Sequence, residues 1–332
     1  MERTVNVAVL GIGNIGGEVA RRIAANQSAS GATGIRLNLV GVMDRGPEKA
    51  RSAGIDPRLV SPDGTEVVDL DKVDVVVEAL GGEHPAAELM IRALAQGKHV
   101  VTANKEAVAK NLPAILASAR DGDAAFMFEA SIGGGIPLVV SLRQILTNNR
   151  VERVRGILNG TTNYILHRME TEGCDYQTAL GGAQELGYAE PDPTADVEGF
   201  DAANKIAILG SMISGAYIHP DQVDTTGISG VTLEDFEEAR ANNGTLRLIA
   251  EAMLSDEGGI QLRVAPSFVS NDDLFSRVVR NFNAIEIVGN RVGPVWLHGQ
   301  GAGPDPTASA ILSDVVEAAL AGSAATPKLN LS

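Results

Sequence analysis

The chain has 332 residues with 27 basic and 42 acidic side chains, a formal charge of -15 and a pI near 4.8, which excludes nucleic acid as the expected partner. A 44% hydrophobic fraction excludes wholesale disorder, and the length is near the limit of a single compact core, so two lobes are expected. No uninterrupted run of eighteen apolar residues occurs, and the N-terminus leads straight into a strand pattern, predicting a soluble, cytoplasmic protein without a membrane partner.

The single cysteine, Cys174, can form neither an intramolecular disulfide nor a cysteine-based metal cluster and is read as structural. That argues against aldehyde chemistry through a thiolate. Lysine is confined to positions 49, 72, 98, 105, 110, 205 and 328. Acid excess, scarce lysine and 4% aromatics fit a salt-rich cytoplasm, although an ordinary acidic enzyme can share this composition.

In chain order, the first third alternates short apolar runs with amphipathic segments, the pattern of a parallel sheet covered by helices on both faces. Five strands are predicted: Val5–Leu10, Ile35–Met43, Val73–Glu78, His99–Ala103 and Ala125–Glu129. Helices are predicted over Glu18–Asn26, Pro85–Gln96 and Leu112–Arg120, with a loop over Gln27–Gly34. After Glu129 come a glycine-rich turn, a helix over Pro137–Thr147 and a strand over Val151–Leu158, which open a second lobe. Thr245–Met253 and Ile260–Val269 flank Gly258-Gly259 and predict a hairpin at the edge of a mixed sheet. Strands at Ala284–Val288 and Val292–His298 precede a final helix over Pro306–Leu320, and the tail after Gly322 reads as loosely ordered.

Gly11-Ile12-Gly13-Asn14-Ile15-Gly16 follows the first strand and opens the first helix, the context of a dinucleotide fingerprint. Gly11 permits the tight turn, Gly13 lets backbone approach a pyrophosphate, and Gly16 allows close helix-to-strand packing. At the end of the second strand, Asp44 is placed to accept from the ribose hydroxyls of NAD, while Arg45 could pair with the 2'-phosphate of NADP. Asp44 could instead cap the next helix. Glu78-Ala-Leu-Gly81-Gly82 and Val101-Thr102-Ala-Asn104-Lys105 fall at the carboxyl ends of predicted strands, where such sheets bind ligands. Farther on, Glu190-Pro-Asp192-Pro is stiffened by its two prolines. The helix after it sets Asp201 and Lys205 one turn apart beside Asn204, equally compatible with a surface ion pair and a buried site.

Along nearly its whole length the chain resembles homoserine dehydrogenases. The resemblance rests on the glycine fingerprint, Thr102-Ala-Asn-Lys-Glu106, Glu129-Ala-Ser-Ile-Gly-Gly-Gly-Ile-Pro137, Gly156-Ile-Leu-Asn-Gly-Thr-Thr-Asn163, the 187–205 segment and Gly301-Ala-Gly-Pro-Asp-Pro-Thr307. It implies an α/β protein, with a Rossmann-type doubly wound parallel sheet and an α+β catalytic lobe containing a mixed sheet. The expected divisions are an NAD(P)-binding domain over 1–130, a catalytic and dimerisation region over 131–304, and a helix over 305–332 returning to the nucleotide domain. The chain ends without the regulatory ACT domain found in many bacterial members, so a short monofunctional homodimer is expected.

The resemblance further implies reversible, NAD(P)-dependent reduction of L-aspartate 4-semialdehyde to L-homoserine in threonine and methionine biosynthesis. Lys205 is similar to the family's catalytic lysine, Asp201 to its substrate-contacting partner, and Glu190 to the carboxylate that binds the substrate amino group. Lys105 matches a lysine between nicotinamide and substrate, and Thr102 and Asn104 match cofactor contacts. Gly187 and Gly303 fall where backbone meets cofactor or substrate, and Thr161 lies in a substrate-side loop. Glu129, Ile132, Gly134 and Ile136 match a structural sodium site built largely from carbonyl oxygens, a donor set suited to a hard cation. Another semialdehyde dehydrogenase on the same scaffold, or a noncatalytic dinucleotide sensor, would share the fingerprint but not the 187–205 segment or the two lysines.

Overall fold

The computed structural model describes residues 3–26 and 33–327. They form two compact units, one comprising the chain up to Gly135 together with Ala302 onward, the other Ile136–Gly301. Most of the Gln27–Gly34 loop, and the last five residues of the tail, lie outside the described residues.

In the first unit, strands β1 (Arg3–Leu10), β2 (Ile35–Met43), β3 (Val60–Ser61), β4 (Val75–Glu78), β5 (His99–Thr102) and β6 (Phe126–Met127) form one sheet in the order β3-β2-β1-β4-β5-β6. Every pair is parallel, which is the doubly wound arrangement of dinucleotide-binding folds. All five predicted strands are present. The sixth, β3, is only two residues long and too short to show a period-2 pattern. Val75, Val76 and Val77 are wholly buried, as a strand covered on both faces requires. β4 starts two residues later than predicted, and Leu80 lies past its end, half-buried.

The helices of this unit are α1 (Asn14–Ala24), α2 (Pro47–Ser52), α3 (Gly64–Val68), α4 (Ala86–Ala95), α5 (Lys105–Asp121) and α6 (Glu129–Ile132). On α1, Gly16, Val19, Ala20 and Ile23 recur at three- and four-residue spacing and face the core. α5 begins seven residues before its predicted start, because the Asn104 side chain accepts from the Ala107 amide at 3.1 Å and caps the helix there.

The C-terminal helix, Pro304–Ala321, packs against α1 and the sheet of the same unit. Arg22 meets Asp305 at 2.6 Å. The stretch Pro304–Ala325 is long and apolar enough to cross a membrane by composition, but Ala308, Ile311, Val315 and Ala318 on it are wholly buried in the unit's core. The tail departs from its loose prediction. Gly322–Ala325 forms a 3-10 turn, Ala325 is buried, and the Thr326 hydroxyl accepts from the Phe126 amide at 2.9 Å.

The second unit contains α7 (Leu138–Leu146), β7 (Val151–Ile157), α8 (Gly160–Glu172), α9 (Tyr176–Glu185), α10 (Thr194–Val197), α11 (Phe200–Ser214), β8 (Asp224–Thr225), α12 (Leu233–Ala241), β9 (Gly244–Leu254), β10 (Ile260–Ser270), β11 (Phe282–Gly289) and β12 (Gly293–Gln300). Its sheet runs β12-β11-β7-β9-β10-β8, antiparallel except for the β8–β10 pair, and is therefore mixed. The predicted hairpin is β9–β10, with Leu254 opposite Ile260 and Gly258 at φ +87°. It is not outermost: β8, too short to leave a pattern in the sequence, extends the sheet beyond it. α11 packs on β9 and β10 and is buried on almost every side, from Ala202 and Ala203 through Ile206, Ala207, Ile208 and Leu209. A polar pair on such a helix has to find partners inside the protein.

Candidate active site

In the first unit the parallel register aligns Leu10 with both Met43 and Glu78, and Glu78 with Thr102. The segments that follow these residues therefore leave the sheet on one edge, the ligand-binding edge of this fold. Gly11 has φ +88°, and a Cβ there would sit 2.9 Å from the Ala79 carbonyl oxygen. At Gly16 a Cβ would meet the Gly11 carbonyl oxygen at 1.9 Å, so only glycine lets α1 lie this close. A Cβ at Gly13, in contrast, meets nothing within 4 Å. Gly13 is also the N-cap of α1, with no side-chain cap. Exposed backbone at an uncapped helix start is the geometry that receives a pyrophosphate. Ile12 is buried, Ile15 half-buried and Asn14 exposed at the same turn.

Asp44 and Arg45 follow β2, Asp44 half-buried and Arg45 exposed. The Asp44 carboxylate accepts from the Gly46 amide at 3.3 Å, while α2 starts at Pro47 without a side-chain cap, so Asp44 does not serve as the helix cap. The third segment starts at Glu78, which its motif placed at a ligand-binding strand end without a role. Glu78 is wholly buried at the end of β4. It accepts from the Thr102 hydroxyl at 2.5 Å, the Leu80 amide at 2.7 Å and the Asn104 amide group at 3.3 Å. Burial pushes its carboxyl up, against the pull of those hydrogen bonds. Asn104 also donates to the Gly82 carbonyl at 2.7 Å, so Glu78 and Asn104 join the two loops and seat Lys105, half-buried, as the first residue of α5. Gly303, at φ +116°, is the N-cap of the C-terminal helix.

The second unit decides the nature of the Asp201–Lys205 pair. Asp201 is 4% exposed and Lys205 7%. Lys205 Nζ donates to Asp201 Oδ2 at 2.7 Å and to the Leu158 carbonyl at 2.8 Å. Asn159 Nδ2 donates to the same Asp201 oxygen at 2.9 Å and to Asp196 Oδ1 at 2.7 Å. The pair is thus a buried, hydrogen-bonded site and not a surface ion pair. Neither Asn159 nor Asp196 stood out by spacing, and the Leu158 contribution is a backbone carbonyl, which no side-chain pattern reveals. The signals available for Asn159 were its place between a strand and a helix start and its membership of the Gly156–Asn163 motif, neither of which gave it a role.

The remaining predicted substrate residues lie in the chain from the start of α8 to the loop before α10. The Thr161 hydroxyl donates to the Tyr188 carbonyl at 2.7 Å, linking the start of α8 to the loop that carries Gly187, at φ +71°, and the exposed Glu190. The rings of Tyr164 and Tyr188 meet edge to face at 5.1 Å between centroids. Cys174 lies apart from this chemistry, half-buried, and burial pushes its thiol up, the opposite of nucleophile activation. Glu129 and Ile132 lie buried at the two ends of α6, Gly134 adopts φ +57°, and Ile136 is buried. The Glu129 amide donates to Asp314 Oδ2 on the C-terminal helix at 3.0 Å. Among the described residues no group of three or more His, Cys, Asp and Glu side chains could hold a metal.

The family model for the homoserine dehydrogenase NAD-binding domain matches residues 11–129, and that for homoserine dehydrogenase matches residues 137–316. A homoserine dehydrogenase of Synechocystis sp. is 39% identical over 317 residues, covering 94% of this chain and 73% of the relative. The crystal structure of a homoserine dehydrogenase from Thiobacillus denitrificans superposes with a TM-score of 0.91 at 37% identity, over 99% of this chain and 78% of that one. A hyperthermophilic archaeal homoserine dehydrogenase in complex with NADPH gives a TM-score of 0.82 at 28% identity, over 96% of this chain and 98% of that one. The chain belongs to the homoserine dehydrogenase family of NAD(P)-dependent oxidoreductases acting on a CH–OH group.

Proposed function

We propose that the chain interconverts L-aspartate 4-semialdehyde and L-homoserine with Lys205, Lys105 and Asp201 as its chemical groups. The observation that carries this assignment is the buried Lys205–Asp201 pair at 2.7 Å, held on one side by a backbone carbonyl and on the other by an asparagine. A buried ammonium with two fixed acceptors is oriented for a task, since desolvating such a pair adds little net stability by itself.

Bound NAD(P) supplies or accepts the hydride. The protein's part is to hold the reactants and manage charge and a proton. Reducing the aldehyde builds negative charge on its oxygen, and the Lys205 ammonium stabilises that charge and delivers the proton. In the oxidation direction the same nitrogen takes the hydroxyl proton. Asp201 orients Lys205, Glu190 pairs with the substrate ammonium, and Thr161 and Gly187 shape the loop beside it. In the nucleotide unit Gly11, Ile12, Gly13, Asn14, Ile15 and Gly16 receive the pyrophosphate, Asp44 and Arg45 meet the adenosine ribose, and Thr102, Asn104, Lys105 and Gly303 line the nicotinamide end. Purified protein mixed with L-homoserine and NAD or NADP should generate the absorbance of the reduced nicotinamide ring. Cofactor binding without turnover at any salt concentration would instead mark a noncatalytic sensor.

Arg45 is exposed at the end of β2 and free to reach a 2'-phosphate. Loss of a charge-assisted contact there should weaken NADP by about 10- to 100-fold in Arg45→Ala while leaving NAD nearly unaffected. Isothermal titration with both cofactors checks this, and equal losses discard the role.

The reading extends to a structural sodium ion held by Glu129, Ile132, Gly134 and Ile136, mainly through carbonyl oxygens. It is supported by the burial of Glu129, Ile132 and Ile136 and by the left-handed turn at Gly134, φ +57°, in a segment whose backbone carbonyls are the donor type a hard cation takes. Sodium at about 100 times its dissociation constant would add about 2.7 kcal/mol. The melting temperature should therefore rise by several degrees in sodium over choline chloride at equal ionic strength; identical melting curves remove the ion. We also place the enzyme in the cytoplasm as a homodimer. The net charge of -15 opposes nucleic-acid binding, and the apolar face of the C-terminal helix is already used within its own unit.

A further inference from the structure

We infer that Asn159 is a positioning residue for the Lys205–Asp201 pair, setting both the direction of the ammonium and the grip of the carboxylate on it. The inference rests on the assignment of Lys205 as the proton-transferring group.

Asn159 is 5% exposed and lies between β7 and α8. Its two amide ends are committed in opposite directions. Oδ1 accepts from the Thr162 amide at 2.8 Å and from the Thr162 hydroxyl at 3.1 Å, capping α8. Nδ2 donates to Asp201 Oδ2 at 2.9 Å and to Asp196 Oδ1 at 2.7 Å. These partners define the amide orientation, since a flipped group would set its oxygen against two carboxylates. No other residue type of this size supplies an acceptor for a helix start and a donor for two acids together. The charged groups Asn159 meets are Asp196 on α10 and, through Asp201, Lys205 on α11. α8 meets it with the Thr162 amide and hydroxyl.

The geometry gives Asn159 two effects on the proton. Asp201 Oδ2 receives the amide and the ammonium together, so the amide takes a share of the carboxylate charge that the ammonium would otherwise hold alone. The preceding residue, Leu158, supplies the second acceptor of Lys205 Nζ. Capping α8 through Asn159 therefore also fixes the carbonyl that aims the ammonium.

Two variants separate positioning from folding. Asn159→Ser and Asn159→Asp both keep an oxygen able to cap α8, because serine, aspartate and asparagine are comparable caps. Both lose the donor to Asp201, and aspartate adds a negative charge in its place. In homoserine oxidation the turnover number is expected to fall about tenfold in Asn159→Ser and about 100-fold in Asn159→Asp. The acid limb of the turnover-against-pH profile should move to higher pH, by about one unit in Asn159→Asp and less in Asn159→Ser. Cofactor dissociation constants and melting temperatures should stay near wild type in Asn159→Ser.

An unmoved acid limb in both variants overturns the inference, whether turnover is retained or falls in step with the melting temperature, since the latter is what a purely structural residue gives. If Asn159→Asp does not fold, Asn159→Ser decides alone. Failure of the underlying assignment looks different: a wild-type protein that binds cofactor without oxidising homoserine, or a Lys205→Ala protein with normal turnover. Either of these overturns the assignment and the inference with it.

Discussion

Replacing Lys205 with alanine is expected to reduce homoserine turnover by at least about 10³-fold, since one change removes both the proton carrier and the cation facing the developing oxyanion. The cofactor dissociation constant should remain within about twofold of wild type, because Lys205 is assigned to the substrate oxygen and the glycine fingerprint to the cofactor pyrophosphate. Asp201 is left 4% exposed with the Asn159 donor still in place. Breaking a buried pair costs about 3–5 kcal/mol where the remaining charge has no other partner, so a smaller loss of stability is expected here. Lys205→Arg makes the comparison sharper. A guanidinium keeps the charge beside Asp201 but does not deprotonate in a protein, so turnover should still collapse with less loss of stability. Stopped-flow turnover, cofactor titration and thermal melting on the two variants read these effects separately. Near wild-type turnover in either variant removes Lys205 as the proton carrier.

The second large effect is expected from two glycines only three residues apart. A Cβ at Gly16 would lie 1.9 Å from a backbone oxygen, that of Gly11, which cannot swing aside as a side chain would. Gly16→Ala must therefore push α1 off its strand, and overpacking of this kind costs about 1–3 kcal/mol or more. For a unit of this size that corresponds to a fall of roughly 2–12 °C in melting temperature, and cofactor binding should be lost with the turn that receives it. Gly13→Ala is the counterpart. Its φ of -70° suits any residue and its Cβ meets nothing within 4 Å, so the melting temperature should hold. The open space is where a pyrophosphate approaches, and the added methyl should weaken NADP about tenfold or more, equivalent to about 1.4 kcal/mol. A Gly13→Ala protein that binds cofactor as well as wild type would show that no ligand comes close at that turn. A Gly16→Ala protein that melts normally would show that the contact relaxes cheaply.

Much of the first unit was legible in the chain because its signals are local. Val75-Val76-Val77 announces a strand covered on both faces, and Gly11, Gly13 and Gly16 between a strand and a helix announce the nucleotide turn, in each case through the conformations the residues permit. The two-residue strands β3 and β8 were invisible for the same reason. Val60–Ser61 and Asp224–Thr225 are strands only because a neighbour of the sheet pairs with them. α5 began earlier than its apolar periodicity suggested because its first turn is stabilised by the Asn104 cap and by contacts to Glu78 and Gly82, residues more than twenty positions away.

At the candidate site the division is sharper. Residue identities in Asp201-Ala-Ala-Asn204-Lys205 determine that a carboxylate and an ammonium stand one helical turn apart, and a resemblance carried by motifs can attach a reaction to them. Spacing on a helix says nothing about what covers that face. Tertiary structure alone decides that α11 is enclosed, that Lys205 is desolvated with Leu158 and Asp201 as its acceptors, and that Asn159 and Glu78 are the polar hubs of their units. The physical reason is that intrinsic conformational preference and helical or strand periodicity act over a few neighbouring residues, whereas burial, and with it the strength of every charge and hydrogen bond in the site, depends on segments that meet only when the chain has folded.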